Sequence, residues 1–206
     1  MSEKTPRPRR LSDIIRSLDG RASFSIGELV DELGERAFGA LMFVFAVPNI
    51  IPTPPGTSAV LGLPLVILTF QLMMGRQALW LPGKIRSRQI DGAMVAGFIR
   101  RAMPVLVRFE KVLKPRLAVT VLSNAAERLI GLTAFLLAVI LFLPIPFGNI
   151  LPAAAIGVLA LGLAERDGLA VTIGYLLAGA SALVLALVSS ALSAAAKMFI
   201  SVLFGL

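Results

Sequence analysis

Cysteine and histidine are both absent from this 206-residue sequence, and their absence excludes several kinds of chemistry. Without thiolate or imidazole ligands the chain cannot form the usual zinc and haem sites, and it has no cysteine nucleophile and no serine–histidine–aspartate triad. Because no disulfide can form, cysteine usage says nothing about the redox compartment. These enzyme classes are excluded, and we expect a protein that is not an enzyme and that carries no metal or other cofactor.

The chain is instead rich in apolar residues, which make up 57% of it against 16% charged residues, and its mean hydropathy is +0.87. Soluble domains are typically about 45–50% apolar and about 25% charged. A chain of this size cannot hide such an excess in one core, because a small domain leaves much of its surface exposed. The composition predicts an integral membrane protein. The charged start of the chain lacks the short apolar core of a signal peptide.

The net charge of +8 lies in one part of the sequence. Residues 76–128 contain eleven Lys and Arg against three acids, whereas residues 1–36 contain seven of each sign and the residues after 128 contain two of each. Basic loops of membrane proteins face the cytoplasm. We therefore expect the N-terminus and residues 76–128 to lie on the cytoplasmic side of the membrane, and we expect no nucleic-acid partner.

Long uncharged stretches separate the charged blocks, and a membrane-spanning helix needs about 20 such residues. Two stretches contain helix-breaking residues at 52–56 and 144–148, so neither can form one straight helix. The pattern predicts an all-α fold with two broken-helix hairpins and a C-terminal transmembrane helix. The predicted helices cover residues 37–51, 57–75, 129–143, 147–164 and 169–190. Ser25 and Glu28 fit a capping box at the start of an earlier helix, and the tail, 191–206, is predicted as a last crossing or an interfacial helix.

An internal repeat is visible when the sequence is compared with itself at an offset of 92 residues. Nine of the 22 positions from 35 to 56 are identical to their counterparts from 127 to 148. The identical pairs are Glu35/Glu127, Arg36/Arg128, Gly39/Gly131, Phe43/Phe135, Ala46/Ala138, Val47/Val139, Pro52/Pro144, Pro54/Pro146 and Gly56/Gly148. Apolar composition alone would not align a Glu-Arg dipeptide and a Pro-x-Pro-x-Gly break at one offset. The sequence therefore predicts two related hairpins, and the positive-inside rule gives them the same orientation because the basic segment 76–128 lies between them.

We divide the chain into five segments on this basis. They are a polar N-terminal segment (1–20), repeat 1 (21–83, with the hairpin 37–75), a basic amphipathic linker (84–116), repeat 2 (117–168, with the hairpin 129–164) and C-terminal transmembrane or interfacial helices (169–206).

The two breaks are the candidate binding site, because short apolar helices interrupted by Pro and Gly at matching positions of two halves are typical of transporter sites. Free backbone groups at such breaks must be buried in protein or face water. The candidate residues for a ligand or structural site are Asn49, Pro52, Pro54, Pro55, Gly56, Gln71, Pro144, Pro146, Gly148 and Asn149. The same pattern also fits ordinary turns at the far membrane surface, and the sequence does not decide between re-entrant segments and full turns.

The repeated Glu-Arg dipeptide lies at the start of each hairpin. We expect ion pairs across the repeat interface, Glu35 with Arg128 and Arg36 with Glu127, and the alternative is that these residues only mark the membrane boundary. Apart from Lys197 in the tail, no ionisable residue falls inside a predicted crossing. Proton-coupled transporters generally use such residues, so their absence counts against an ion- or proton-coupled carrier.

The basic linker, 84–116, has the pattern of an amphipathic helix. Its apolar residues recur every four positions, at Ile90, Met94, Phe98 and Ala102. Basic helices of this kind lie in the membrane interface and attract anionic lipid headgroups. Small residues at the same spacing between Gly174 and Ala186 mark a close-packing helix face, either within the fold or in a homodimer.

One ordered set of residues resembles the ExoD family of small bacterial inner-membrane proteins. The set consists of Pro54-Pro55-Gly56-Thr57-Ser58, Gly62-Leu63-Pro64-Leu65, Gln71, Gly75 and Trp80-Leu81-Pro82. The resemblance covers roughly residues 20–195 and implies a part in exopolysaccharide synthesis or export, with the polysaccharide-synthesis machinery as a partner. It carries no catalytic residue over to this chain. We expect a non-catalytic accessory or ligand-binding role, with a small-solute or ion transporter, or an enzyme acting on a lipid-linked sugar, as alternatives.

Overall fold

A computed structural model describes residues 23–50, 57–91, 123–142 and 148–204. Its elements are β1 (Ser23–Ser25), α1 (Ile26–Leu33), a 3-10 turn (Gly34–Arg36), α2 (Ala37–Ile50), α3 (Thr57–Met73), α4 (Gly83–Arg86), β2 (Gln89–Asp91), α5 (Asn124–Phe142), α6 (Ile150–Glu165) and α7 (Gly168–Phe204). The predicted, mainly helical fold is confirmed. The polar segment 1–20 and most of both breaks lie outside the described residues.

The first helix begins where its sequence predicts. The backbone N–H of Glu28 donates to the Ser25 hydroxyl at 3.1 Å, and the Ser25 N–H donates to the Glu28 carboxylate at 3.0 Å. These reciprocal bonds satisfy two of the backbone donors that a helix start leaves free. The capping box is therefore confirmed, and it fixes the chain before the first apolar stretch.

A two-stranded antiparallel sheet departs from the all-α prediction. Strand β1 pairs with β2 in a register that places Phe24 opposite Ile90, and the N–H of Ile26 donates to the Arg88 carbonyl at 3.1 Å. Phe24 is only 2% exposed, so this short sheet covers a core side chain. The prediction of an amphipathic helix over 84–116 is wrong for its first residues, which form α4 and β2, and residues 92–116 lie outside the described part.

Helices α2, α3, α5 and α6 pack as a ring in which α2 contacts α3 and α6, and α5 contacts α3 and α6. The start of α2 lies against the end of α6, since a Cβ added at Gly39 would be 2.8 Å from the Cβ of Ala164. In the same way, a Cβ added at Gly131 near the start of α5 would be 2.7 Å from the carbonyl carbon of Leu72 near the end of α3. Both helix pairs are therefore antiparallel, and their backbones approach closely because glycine has no side chain.

The inner and outer helices differ in exposure. No residue of α2 or α6 is exposed, whereas α3 presents one apolar stripe to the outside. The exposed residues of that stripe are Val60, Leu63, Ile67, Phe70 and Met74. By length and composition alone, three described stretches could cross a membrane, namely Ile26–Ile50, Asn124–Phe142 and Gly168–Phe199.

The last helix is longer than the sequence predicts. Helix α7 continues for 37 residues, so the tail from 191 is the second half of this helix, as far as Phe204. It packs antiparallel on α6, with Gly162 close to Val171 and Gly174 close to Leu159. At about 1.5 Å per residue α7 is about 55 Å long, against about 24 Å for the 16 residues of α6. Its second half therefore extends beyond the ring.

Candidate functional site

A cavity of about 310 Å³ opens at the end of the ring where α2 and α5 begin and where α3 and α6 end. We call this the cavity end, and the opposite end the break end. The lining residues are Glu35, Arg36, Phe38, Leu72, Arg76, Gln77, Asn124, Glu127, Leu163 and Arg166. Charged residues meet here because the uncharged stretches of the four helices begin or end at the cavity end. The cavity lining therefore combines charged and amide side chains with the apolar side chains of Phe38, Leu72 and Leu163.

Two Glu-Arg dipeptides pair with each other beside the cavity. The guanidinium of Arg36 lies 3.0 Å from the carboxylate of Glu165, and these side chains are only 15% and 11% exposed. Arg166 forms the second pair, with Glu35. Because α2 and α6 run antiparallel, the first residue of each dipeptide faces the second residue of the other. We call these four residues the Glu-Arg quartet.

The quartet corrects the ion pairs that the sequence predicts. Glu35 and Arg36 pair with Arg166 and Glu165 instead of Arg128 and Glu127. The reason is the packing of α2 against α6, which brings the end of α6 to the start of α2. The half-buried Glu127 lines the cavity and interacts electrostatically with Arg166 and Glu35. Arg128 is exposed and lies against the backbone of Gly75, outside the cavity lining.

The tight connection between α6 and α7 holds Arg166 in place. Arg166 has a positive φ of 56°, and the N–H of Asp167 donates to the Gly162 carbonyl at 2.9 Å. The Asp167 carboxylate, which is 2% exposed, accepts from the N–H of Leu169 at 2.9 Å and so caps α7. An N-cap of this kind satisfies a free backbone donor and favours the helix dipole. The sequence indicates only a polar loop here.

Seven of the ten lining residues do not belong to the predicted site, and three of the seven are polar residues outside the quartet. Arg76 follows the end of α3 and forms no ion pair with any residue in the described ranges. The Gln77 amide donates to the side chain of Asn124 at 3.4 Å, a long contact across the cavity mouth. Arg76 is the single charge that interrupts the first apolar stretch, and this interruption is the signal that could have marked it. Gln77 and Asn124 carry no comparable signal.

Asn49 and Asn149 lie at the break end, on α2 and just before α6. They are 2% and 8% exposed. The Asn49 amide donates to the Phe45 carbonyl at 2.8 Å, and the Asn149 amide donates to the Leu141 carbonyl at 3.4 Å. The side-chain oxygen of each is buried and has no hydrogen-bond partner among the described residues. Buried polar atoms are nearly always paired, so these two oxygens call for an explanation.

The other predicted site residues have different surroundings. Gly148 lies in the described turn before α6, whereas the remaining break residues lie outside the described part of the chain. They are Pro52, Pro54, Pro55, Gly56, Pro144 and Pro146. Gln71 is buried near the end of α3, where its side-chain oxygen accepts from the backbone N–H of Trp80 at 2.9 Å. Gln71 therefore positions the connection after α3.

The fold and the cavity define a largely helical protein with helices of membrane-spanning length and a charged cavity at one end of a four-helix ring. The chain belongs to the ExoD family, because residues 8–187 match the family described as "Exopolysaccharide synthesis, ExoD". This match confirms the family that the sequence motifs indicate.

Two curated relatives are similar over most of the chain. An uncharacterized protein of Synechocystis sp. is 32% identical over 160 residues, which cover 77% of this chain and 76% of that protein. Protein ExoD of Rhizobium meliloti (strain 1021) is 31% identical over 169 residues, which cover 80% of this chain and 70% of that protein. No solved structure matches the chain significantly.

Proposed function

We propose that this protein is a multi-pass bacterial inner-membrane protein that assists exopolysaccharide production by binding a ligand in the cavity, without itself making or breaking glycosidic bonds. Membership of the ExoD family is the observation that carries the biological role. The membrane location is supported by three helices of spanning length and by the exposed apolar stripe of α3. The cavity end is cytoplasmic in this proposal, because the basic segment 76–128 begins there at Arg76 and ends there at Glu127 and Arg128.

The two hairpins are, in this proposal, two copies of one unit with the same orientation. Gly39 approaches Ala164, and Gly131 approaches Leu72. At the offset of 92, Gly39 corresponds to Gly131 and position 72 corresponds to position 164, so the two approaches are one contact repeated. The reciprocal packing of α2 on α6 and of α5 on α3 supports an approximate twofold axis along the ring.

The lining chemistry suits a neutral, polyhydroxylated ligand such as a sugar unit. The cavity and its quartet contain three Arg and three Glu, so the charges balance and no strong preference for an anion or a cation remains. Sugar hydroxyls both donate and accept hydrogen bonds, and guanidinium, carboxylate and amide groups supply both partners. Phe38 adds an aromatic ring to the apolar part of the lining. The volume lies near the lower limit of about 300 Å³ for ligand sites, which fits a small ligand.

Two exposed arginines at the cavity end provide a matched test. In a host that lacks its own copy, we expect Arg76→Gln to lower exopolysaccharide yield, because Arg76 lines the cavity without an ion-pair partner among the described residues. Arg128→Gln removes the same charge outside the cavity lining and should leave the yield unchanged at equal protein level. Equal yields for both variants and the wild type would show that the cavity is not used.

Glu127→Gln separates ligand binding from catalysis. Glutamine keeps hydrogen-bonding capacity, so a binding site should lose at most about tenfold in ligand affinity, corresponding to about 1.4 kcal/mol for one weakened bond. Exopolysaccharide should still be produced. Complete loss of product from a normally expressed protein would contradict the proposal, and it would indicate instead that the Glu127 carboxylate has a catalytic role.

A small-solute or ion transporter is the second candidate, and the side-chain oxygens of Asn49 and Asn149, which have no hydrogen-bond partner among the described residues, favour it. Replacing both residues by leucine, in the double variant N49L/N149L, removes the polar groups at a similar side-chain size. If the oxygens bind a solute, the double variant should lose solute flux in proteoliposomes while its stability stays the same or increases, because an unsatisfied buried polar group is costly. Unchanged flux, or no flux in the wild type, would contradict this second candidate.

A further inference from the structure

Trp80 is the only tryptophan in the chain, and it lies outside both sites described above. Its side chain is 57% exposed. The two neighbouring residues are anchored: Leu79 is 6% exposed, and Leu81 is partly buried against the core. The chain therefore holds an indole outward between two inward leucines. Indole rings prefer a boundary with an apolar side and a wet side, so an exposed tryptophan in a fixed position indicates a surface that something covers.

The position of Trp80 is fixed by hydrogen bonds at the end of α3. Gly75 ends this helix with φ of +76°, and the N–H of Arg76 donates to the Gln71 carbonyl at 3.1 Å. This is the glycine helix end that satisfies the last carbonyls of a helix. The side chain of Gln71 then accepts from the Trp80 N–H at 2.9 Å. The backbone of Trp80 thus lies beside the last turn of α3.

The surroundings of Trp80 change from apolar to basic along the chain. Before Trp80 in the chain, Phe70 in the last turn of α3 and Met74 directly after that helix are exposed apolar side chains. After Trp80, α4 exposes Ile85 at 45%, and Lys84 and Arg88 are exposed as well. Neither of these two cations forms an ion pair within the described residues.

Arg86, which lies between Lys84 and Arg88 in the sequence, forms an ion pair. Its guanidinium binds the carboxylate of Asp31 through contacts of 2.9 and 2.6 Å. Residues 80–88 therefore contain one paired cation and two cations without an ion pair among the described residues.

We propose that residues 80–88 are a docking site for anionic lipid headgroups, in which Trp80 and Ile85 enter the membrane interface and Lys84 and Arg88 bind the headgroup charge. Tryptophan is enriched at membrane–water interfaces, and the site continues the apolar stripe of α3. Charge complementarity selects anionic lipid, because the block of residues 76–128 carries the whole net charge of +8. A cation near an anionic membrane surface favours binding about fivefold.

The native tryptophan can report on this site without any label. We would reconstitute the full chain in mixed phosphatidylcholine and phosphatidylglycerol vesicles, with bromine on the acyl chains of one lipid at a time, and measure quenching of Trp80 fluorescence. We expect stronger quenching from brominated phosphatidylglycerol than from brominated phosphatidylcholine. Lys84→Gln and Arg88→Gln should each reduce this preference by up to about fivefold. Arg86→Gln is the matched control, since it changes the net charge equally but removes a paired cation.

Three outcomes would overturn the docking site. The first is quenching of Trp80 by aqueous iodide and by neither lipid, which places the indole in water. The second is equal quenching by both lipids with no effect of the substitutions, which leaves apolar contact without headgroup binding. The third is protection from iodide and from both lipids, which indicates a protein surface over the indole. The inference rests on the proposed membrane location, which a separate flotation experiment tests. A chain that does not float with the vesicles would contradict the membrane location itself.

Discussion

The close approaches of Gly39 and Gly131 lead to our sharpest prediction. A Cβ added at Gly39 would lie 2.6 Å from the Ala160 carbonyl oxygen and 2.8 Å from the Cβ of Ala164. A Cβ added at Gly131 would lie 2.7 Å from the Leu72 carbonyl carbon, with backbone atoms of Met73 equally close. Most of these atoms belong to the backbone and cannot rotate away. Gly39→Ala and Gly131→Ala therefore require the paired helices to separate.

The expected loss of stability can be worked out from two opposing effects. Inserting a methyl group into a packed interior costs about 1–3 kcal/mol, and we take the upper value because backbone atoms must move. Alanine gains about 1 kcal/mol over glycine in a helix. Each substitution should therefore destabilise the protein by about 2 kcal/mol, and the two should behave alike if the hairpins are copies of one unit.

Gly157 provides the matched control, because it is also buried in a helix of the ring, but no other described residue outside its own helix backbone has an atom within 4 Å of an added Cβ. We expect Gly157→Ala to be neutral or to stabilise by up to about 1 kcal/mol. The assay is the unfolding midpoint in a mild detergent, with the folded fraction measured by size-exclusion chromatography. If Gly39→Ala and Gly131→Ala unfold at the same midpoint as Gly157→Ala, the close helix approach is wrong. If only one of them is destabilised, the repeated contact is wrong.

Two further predictions concern the helix ends. Arg36→Gln removes the guanidinium that pairs with the largely buried carboxylate of Glu165, so the unfolding free energy should fall by about 3 kcal/mol. The charge-reversed double variant R36E/E165R should regain part of this free energy. No recovery would mean that the two residues do not act as a pair. Asp167→Ala removes the N-cap of α7 and should cost at least about 1 kcal/mol, seen as faster amide hydrogen exchange at Leu169 and Ala170; unchanged exchange there would contradict the capping role.

The two helices of the first hairpin, α2 and α3, could be predicted well from the sequence. The predicted bounds 37–51 and 57–75 differ from the observed ones by no more than two residues at either end. Uncharged stretches have sharp limits, and the Pro and Gly residues between them cannot continue a helix. The prediction for α5 begins five residues late, because it excluded the charged residues of the first turn. Because α5 begins at the polar end of the ring, charged residues fit in its first turn. The helix therefore begins before the uncharged stretch does.

The sheet could not be predicted in the same way. Each strand has three residues, which is too short for an alternating pattern to stand out, and the strands are far apart in the sequence. Their pairing depends on how residues 76–88 fold back towards α1. That folding is set by Gln71, Gly75 and Pro82, whose hydrogen bonds are visible only in three dimensions.

The candidate site was only partly predictable for a related reason. Repetition of the Glu-Arg dipeptide marked three residues of the cavity lining, Glu35, Arg36 and Glu127. It also suggested that the copies pair with each other, which is wrong. The true partners, Glu165 and Arg166, belong to a third Glu-Arg dipeptide outside the repeat match. Which dipeptides meet is decided by the antiparallel packing of α2 on α6, and no local pattern encodes that choice.

The length of α7 has a consequence for the outer surface of the protein. A bilayer is about 40–45 Å thick with its headgroups, and in the proposed membrane location the 14 residues of α2 would cover about 21 Å of it. Helix α7 starts beside the end of α6 at the cavity end, and its Lys197 lies about 44 Å along the helix from Gly168. If Lys197 marks the far headgroups, the break end lies roughly 20 Å below them. A solute arriving from outside would then pass along the second half of α7 before it reached the level of Asn49 and Asn149.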